Sequence, residues 1–260
     1  IMVEDEWGKK IDINKVEETL KLNKDAKIVA FVHAETSTGV KSDPEALTKL
    51  AHTYDCLSIV DTVTGLAGVP LLVDEWEIDA VYSGTQKCLS ASPGLSPISF
   101  SKKAKEKIQN RTTKVKSWFH DLNLIMSYWE GEGARSYHHT APINALYGLH
   151  EALLILSEEG IENSWKRHLE NHVLLRDGLE QIGINFLVNK DDRLPQLNTI
   201  FIPEGVDDPK TRSKLLNEYN LEIGAGLGTL AGKVWRIGLM GHSSNKQNIE
   251  HCLSSIAKVI

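Results

Sequence analysis

Cysteine is scarce in this 260-residue sequence, which contains only 3. Cys56, Cys88 and Cys252 are an odd number, lie far apart and form no Cys-x-x-Cys pair. Neither a disulfide framework nor a thiolate metal site is therefore indicated. Unpaired thiols are typical of a reducing compartment, so the sequence predicts an intracellular protein.

Long apolar runs and blocks of like charge are also absent. No run reaches the length that a membrane-spanning helix requires. The net charge of −6 comes from mixed charges, without the basic clusters that bind nucleic acid or an anionic membrane. We therefore expect a small-molecule partner, with no nucleic acid and no membrane.

What the sequence does contain is the balance of a globular protein, with 41% hydrophobic and 25% charged residues. It opens on Ile1 in what resembles a short strand and closes on Ile260 inside a helix pattern. We therefore expect that both ends are truncated.

Three apolar runs of strand length occupy residues 27–32, 56–61 and 79–83. A helix signal with Pro44 in its first turn separates the first run from the second. The order strand, helix, strand predicts a crossover unit and hence a parallel sheet. Ligands of such sheets bind outside the carboxyl ends of the strands.

The C-terminal part has a different pattern, which follows an irregular stretch over residues 111–140. The turn at Glu159 and Gly160, between two predicted helices, is the best candidate for a domain boundary. We predict a partial large domain over 1–159 and a small α+β domain with antiparallel strands over 160–260. The helices are predicted at 142–158, 161–182, 209–219 and 245–259, and the strands at 185–188, 198–202, 221–223 and 234–238.

Polar groups follow each of the three strands, in the loop of Thr36 and Ser37, at Asp61 and at Lys87. A lysine at the end of a buried strand is partly desolvated, which favours the free amine that attacks a carbonyl. The alternative for Lys87 is an ordinary surface lysine beyond a strand.

An acid at the end of a buried strand is costly unless it is paired. The ring nitrogen of pyridoxal phosphate, a cofactor that also needs a lysine, is one partner that Asp61 could have. A helix cap, a salt bridge or a metal site remains an alternative, and Mg²⁺ would need a further carboxylate. Asp74, Glu75 and Asp79 are the candidates for that carboxylate.

Five motifs occur in this order: AETSTG at 34–39, VDTV at 60–63, YSGTQK at 82–87, YHHT at 137–140 with Pro142, and RIG at 236–238. Together they resemble the class V pyridoxal-phosphate aminotransferases. The YHHT motif narrows the resemblance to the alanine–glyoxylate / serine–pyruvate aminotransferase family, whose insect members include 3-hydroxykynurenine transaminase.

The resemblance implies a fold type I α/β protein with an incomplete large domain. It makes Lys87 the Schiff-base lysine and the general acid/base, and it pairs Asp61 with the pyridine nitrogen. The remaining expected cofactor contacts are Val63 on a ring face, Thr36 or Ser37 near the ring hydroxyl, and Gln86 at the phosphate.

The resemblance also implies a homodimer, because Tyr137 and Thr140 would reach the cofactor phosphate of the neighbouring subunit. Arg236 would bind the substrate carboxylate, since a guanidinium fork suits a carboxylate. The expected reaction moves an amino group from alanine or serine to glyoxylate or pyruvate. Specificity of the 3-hydroxykynurenine transaminase type is the alternative.

Several other interpretations stay open. Arg236 could form a structural ion pair instead. His138 and His139 suggest a metal, but adjacent residues point to different sides of a strand or helix, so we expect none. The glycines of 224–228 lack the spacing of a nucleotide-binding turn and predict a flexible loop near the substrate.

Two competing functions remain: a cysteine-desulfurase-like or β-lyase enzyme, and a non-catalytic scaffold or fragment. The family also carries an upstream phosphate-binding turn and a ring-stacking aromatic residue that this sequence lacks. We therefore expect the chain alone to be inactive or nearly so. The expected location is peroxisomal or mitochondrial in a eukaryote and cytoplasmic otherwise.

Overall fold

The computed structural model describes residues 1–130 and 136–260, and it describes only the backbone of residue 130. Helices in the described residues are α1 (Ile13–Leu22), α2 (Pro44–Thr53), α3 (Lys102–Gln109), α4 (Leu122–Glu130), α5 (Ile143–Glu159), α6 (Ile161–Gln181), α7 (Asp208–Tyr219) and α8 (Lys246–Val259). Strands are β1 (Ile28–Val32), β2 (Ala34–Glu35), β3 (Val40–Lys41), β4 (Leu57–Asp61), β5 (Ala80–Tyr82), β6 (Ile98–Phe100), β7 (Leu197–Phe201), β8 (Gly224–Ala225) and β9 (Val234–Gly238).

The first sheet has the order β1-β4-β5-β6. Strands β1, β4 and β5 run parallel, and β6 pairs antiparallel with β5 at the edge. The predicted parallel sheet is therefore confirmed. Its register places Val32, Asp61 and Tyr82 side by side, so the three parallel strands end at the same edge.

Helix α2 covers this sheet and begins as the sequence predicts. The Asp43 side chain accepts a hydrogen bond from the amide of Ala46, and Pro44 occupies the first turn. Apolar side chains form a cluster between the helices and the sheet, and this packing fixes the sheet edge from which the polar residues of the site project. It contains Val16, Leu20, Phe31, Leu47, Ala51, Val60 and Val81.

A second sheet has the order β7-β9-β8 and is antiparallel throughout, as the sequence predicts for the C-terminal part. Trp235 of β9 is fully buried, and its Nε1 donates to Oδ1 of Asp208 in α7 at 2.8 Å. The predicted boundary at residue 160 stays a prediction. Gly160 does separate α5 from α6, with φ +83.

Three sequence-based predictions fail in detail. Residues 185–188 form only one isolated bridge, Phe186 to Ile200, since their pairing with β7 ends after the two flanking backbone bonds. The strand predicted at 221–223 lies at 224–225 instead. The irregular stretch 111–140 contains α4, in which Leu122, Ile125 and Trp129 recur at helical spacing, so the sequence does carry a helix signal there.

In the described part of the chain, every helix is too short or too polar to cross a membrane.

Candidate active site

Asp61 ends β4 and lies at the carboxyl edge of the parallel sheet. Its Oδ1 accepts a hydrogen bond from the amide of Val63 at 2.9 Å, and its Oδ2 accepts one from the hydroxyl of Tyr82 at 2.7 Å. The first bond forms a local turn that an aspartate makes readily. The carboxylate is therefore held in one orientation at the sheet edge.

Tyr82 is a site residue to which the sequence analysis assigns no role. It ends β5 directly beside Asp61 in the strand register, so both side chains project from the same face. Burial and the contact with Asp61 raise the pKa of Tyr82 to about 12. The hydroxyl therefore stays a donor over the whole working range of an enzyme. Aligning the ends of the two predicted strands in the sequence would have placed Tyr82 beside Asp61.

Lys87 lies on the turn that follows β5, and the turn is fixed by its small residues. Ser83 donates from Oγ to the carbonyl of Thr62 at 3.0 Å, and Thr85 donates from Oγ1 to the carbonyl of Ser92 at 2.6 Å. A Cβ on Gly84 would lie 2.6 Å from Oε1 of Gln86, so the glutamine side chain folds back over this glycine.

Within the described residues, the half-buried Lys87 has neither a hydrogen bond nor an ion pair from its side chain. Its amine is thus available for chemistry. This partial burial and the ordered turn both count against the alternative that Lys87 is an ordinary surface lysine.

The loop of Thr36 and Ser37 joins β2 to β3. Ser37 donates its amide to Glu35 Oε1 at 2.7 Å, and Arg236 donates from Nη1 to the carbonyl of Thr36 at 3.1 Å. Arg236 also donates from Nε to the carbonyl of Ala225 at 2.8 Å. These bonds bring β9 to the loop of the separate two-stranded sheet β2-β3. For Arg236 the described residues show backbone acceptors and no ion pair, which counts against the structural alternative.

His33 follows β1 and lies behind Asp61, fully enclosed. Its amide donates to the carbonyl of Asp61 at 2.9 Å, and its Nδ1 lies 3.4 Å from Oγ1 of Thr62. Burial lowers the pKa of His33 to about 4, so the ring is neutral. A Cβ on Gly65 would come within 2.9 Å of this ring, which explains the glycine there.

Tyr137 and Thr140 are not joined to Asp61, Lys87 or Arg236 by any hydrogen bond between described residues. Their hydroxyls pair with each other, and Tyr137 is 66% exposed. His138 stacks on Trp118 with ring centroids 4.1 Å apart. Its Nδ1 lies 2.7 Å from Nδ1 of His139, so the premise that the two rings point apart is wrong.

The three cysteines are buried and unpaired. Burial raises the pKa of Cys88 and that of Cys252 to about 12, and it also raises the pKa of Cys56. A thiol needs its thiolate form to act as a nucleophile. The desulfurase-like alternative therefore has no suitable cysteine here.

Comparison with known proteins now decides the family. The chain matches the family described as Aminotransferase class-V over residues 3–251. The chain belongs to this family. The resemblance inferred from the five motifs is confirmed.

Two curated relatives show which aminotransferases the chain is similar to. The chain is 39% identical over 255 residues to the alanine–glyoxylate aminotransferase of Rattus norvegicus, covering 97% of this chain and 61% of the relative. It is 34% identical over 277 residues to the (S)-ureidoglycine–glyoxylate transaminase of Bacillus subtilis (strain 168), covering 100% and 66%. The chain thus spans about three fifths of the length of the rat relative.

A solved structure of alanine–glyoxylate aminotransferase from Nostoc sp. matches with a TM-score of 0.95 and 45% identity, covering 99% of this chain and 67% of that one. Pyridoxamine–pyruvate aminotransferase from Mesorhizobium loti shares the fold, with a TM-score of 0.90 and 24% identity. The predicted fold type I class is therefore confirmed, and this chain covers part of that fold.

Proposed function

We propose that this class V protein is a pyridoxal-phosphate-dependent aminotransferase that moves an amino group from alanine or serine to glyoxylate or pyruvate. The observation that carries the proposal is the common sheet edge. Asp61 and the Lys87 turn follow adjacent parallel strands there, and Arg236 reaches the neighbouring Thr36 loop. The names of the rat, Bacillus and Nostoc relatives support glyoxylate as an acceptor.

The donor and acceptor groups at this edge fit the cofactor. Each oxygen of Asp61 accepts one hydrogen bond from the described residues, and a carboxylate oxygen has room for a further donor. A protonated pyridine nitrogen is such a donor. The amine of Lys87 carries no competing bond from the described residues, as a lysine that must react with a carbonyl requires.

Arg236 has donors left for a substrate. Its Nε and one Nη1 proton bond the carbonyls of Ala225 and Thr36, which leaves the Nη2 protons and the other Nη1 proton. Those remaining protons form one edge of the guanidinium fork, the geometry that binds a carboxylate through two parallel bonds. The two backbone bonds hold this fork still before a substrate arrives.

Pyridoxal phosphate, when bound, supplies an electron-accepting ring that stabilises a carbanion at the substrate α-carbon. Asp61 would keep the ring nitrogen protonated, and Tyr82 and the Val63 amide would hold the Asp61 carboxylate in place. Lys87 would take the proton from the substrate α-carbon as general base. Arg236 would orient the substrate through its carboxylate.

The finer assignments also belong to this proposal. We assign Val63 to a ring face, Thr36 or Ser37 to the neighbourhood of the ring hydroxyl, and Gln86 to the phosphate. The protein would be a homodimer in which Tyr137 and Thr140 bind the phosphate in the other subunit. Their exposed hydroxyls leave them accessible to a second chain. The buried free cysteines support a reducing intracellular compartment.

Cofactor binding in two lysine variants tests the proposal. Lys87→Ala removes the amine, and Lys87→Arg keeps a positive charge that cannot be deprotonated to react with a carbonyl. The parent protein for these tests is the longer protein that carries this chain together with the upstream phosphate-binding turn. We expect visible cofactor absorbance in the parent protein and its loss in both variants. Lys102→Arg, on the exposed first turn of α3, is the matched control and should keep it. Equal absorbance in the parent and both Lys87 variants would refute the role of Lys87.

A further inference from the structure

The loop that follows β9 packs directly against the segment that follows Lys87. Gly241 in this loop has φ +55, a left-handed conformation. A Cβ at Gly241 would lie 1.9 Å from Oγ of Ser90 and 2.6 Å from the carbonyl oxygen of Cys88. No side chain fits between the two segments, so the glycine allows close backbone contact.

Three hydrogen bonds connect the interior of α6 to Lys87 through this contact. The amide of Gly241 lies 2.9 Å from Nε2 of His168. The amide of His242 donates to Oγ of Ser90 at 2.8 Å. The amide of Ser90 then donates to the carbonyl of Lys87 at 3.0 Å.

The bonds of His168 determine which ring nitrogen carries the proton. Its Nδ1 lies 2.7 Å from the carbonyl oxygen of Ser164, which can only accept, so Nδ1 is the protonated nitrogen. Nε2 is then a free acceptor for the Gly241 amide. The ring is fully buried, and this burial lowers the pKa of His168, which keeps it neutral.

Other bonds fix both ends of the connection. Ser164 donates from Oγ to the carbonyl of Ala67 at 2.8 Å, which ties α6 to the loop after β4. Arg167 donates from Nη1 to the carbonyls of Gly241 and Ser244 at 2.8 and 2.9 Å. Ser90 itself has φ +58, a conformation that serine rarely adopts without support. The Lys87 turn is therefore held from outside as well as by its own residues.

We propose that His168 is a positioning residue for Lys87, acting through the amide of Gly241, the 241–242 backbone and Ser90. It touches neither the substrate nor the cofactor. Its function is to hold the Lys87 backbone at the distance and orientation that its amine needs. This inference rests on the proposed role of Lys87 as the reactive lysine.

Cys88 provides a direct readout, because it follows Lys87 in the chain and its thiol is buried. Native-state alkylation, quantified for each cysteine by mass spectrometry, reports local opening of this segment without any cofactor. Cys56 and Cys252 are internal references, since both are buried in other parts of the fold.

His168→Leu removes the acceptor and leaves the buried Gly241 amide unpaired, which should speed Cys88 alkylation by at least about fivefold. Ser90→Ala removes the exposed hydroxyl acceptor and should act in the same direction without risk to the core. His168→Gln offers a side-chain oxygen to the same amide and should restore slow labelling. His172→Leu is the matched control, because His172 is a buried histidine of α6 that instead contacts Asn198 at 2.6 Å.

A selective rise at Cys88 in His168→Leu and Ser90→Ala, reversed in His168→Gln, supports the inference. Unchanged Cys88, or equal acceleration at all three cysteines in both His168→Leu and His172→Leu, overturns it. In the cofactor-loaded protein, the turnover number should fall about tenfold in His168→Leu, with the amino-acid KM within about twofold. If the parent protein shows no Lys87-dependent cofactor absorbance, the proposed function fails, whereas the Cys88 result still reports the contact.

Discussion

The register of the parallel sheet places the side chains of Asp61 and Tyr82 next to each other and so forms a charged, hydrogen-bonded site. Neither residue is chemically unusual, but each ends one of two adjacent parallel strands. Their side chains meet at 2.7 Å because the strands end together. The orientation of the carboxylate, rather than its presence, is what a cofactor nitrogen would require.

Removal of the Tyr82 hydroxyl tests this orientation. Tyr82→Phe deletes a hydrogen bond to a charged group, and the partial exposure of Tyr82 reduces the cost. We expect cofactor affinity to fall about three- to tenfold, which equilibrium dialysis can measure. Tyr147→Phe, on an exposed position of α5, is the matched control. Unchanged affinity in Tyr82→Phe would show that Asp61 needs only the Val63 amide.

Arg236 makes a separate prediction about the substrate. Arg236→Ala removes both carboxylate donors, so the amino-acid KM should rise at least about tenfold. Steady-state kinetics with alanine as donor would measure the change. Arg212→Ala removes an arginine that pairs with Asp208 on α7, and its KM should stay unchanged. A normal KM in Arg236→Ala would remove Arg236 from the substrate site.

The secondary-structure elements of the site could largely be predicted from the sequence. The apolar runs ending at Asp61 and Ser83 predict strands of one parallel sheet, because a strand covered on both faces is apolar along its whole length. The contact between His168 and Gly241 could not be predicted from the sequence. The imidazole accepts a hydrogen bond from a backbone amide, and because every residue except proline has such an amide, the sequence does not mark the donor. The helix signal of α4 spans only nine residues between polar, irregular segments, so it does not stand out in the sequence.

A polar network at the opposite end of the sheet joins several elements. Asp79 is almost fully buried just before β5. It accepts hydrogen bonds from the Ser58 amide at 2.9 Å and from Ser101 Oγ at 2.9 Å, and it pairs with His52 Nε2 at 2.8 Å. These contacts connect β4, α2 and the N-cap of α3 to β5 and set the start of the strand that leads to Lys87.

Asp79 should make folding stability pH-dependent. Burial opposes its ionisation, but the bonds from Ser58, His52 and Ser101 outweigh burial and hold the pKa of Asp79 below its usual value. The folded-state pKa is therefore lower than the unfolded one, so the stabilisation is full above the unfolded pKa of about 3.9 and is lost as pH falls through the folded pKa.

The corresponding variant is Asp79→Asn. It places the asparagine NH2 group, which can only donate, against neighbouring groups that also donate hydrogen bonds. We expect a loss of about 2–3 kcal/mol in unfolding free energy at neutral pH, shrinking in acid, measured by denaturant titration. Asp43→Asn should cost almost nothing, because asparagine also caps helix α2. A constant difference between parent and Asp79→Asn from neutral to acid pH would contradict the ionised state of Asp79.

At the scale of the whole molecule, direct bonds connect β9 and the segment before β7 to the loops after β2 and β4. Arg236 bonds the Thr36 carbonyl, Gln196 donates from Nε2 to the Thr64 carbonyl at 2.8 Å, and the Leu194 amide donates to the Gly39 carbonyl at 2.9 Å. Arg236 is thus fixed relative to the loops after β2 and β4. The sequence motifs identify the family, but only the folded chain shows this connection.

The central claim is that Lys87 catalyses transfer of an amino group to the cofactor, and one stoichiometric measurement tests it. The parent protein, loaded with pyridoxal phosphate, is mixed with L-alanine in the absence of any 2-oxo acid, and pyruvate is quantified. We predict about one pyruvate per bound cofactor, since the cofactor takes up a single amino group, and none with Lys87→Arg. A parent protein that binds the cofactor through Lys87 but releases neither pyruvate from alanine nor hydroxypyruvate from serine would contradict the account.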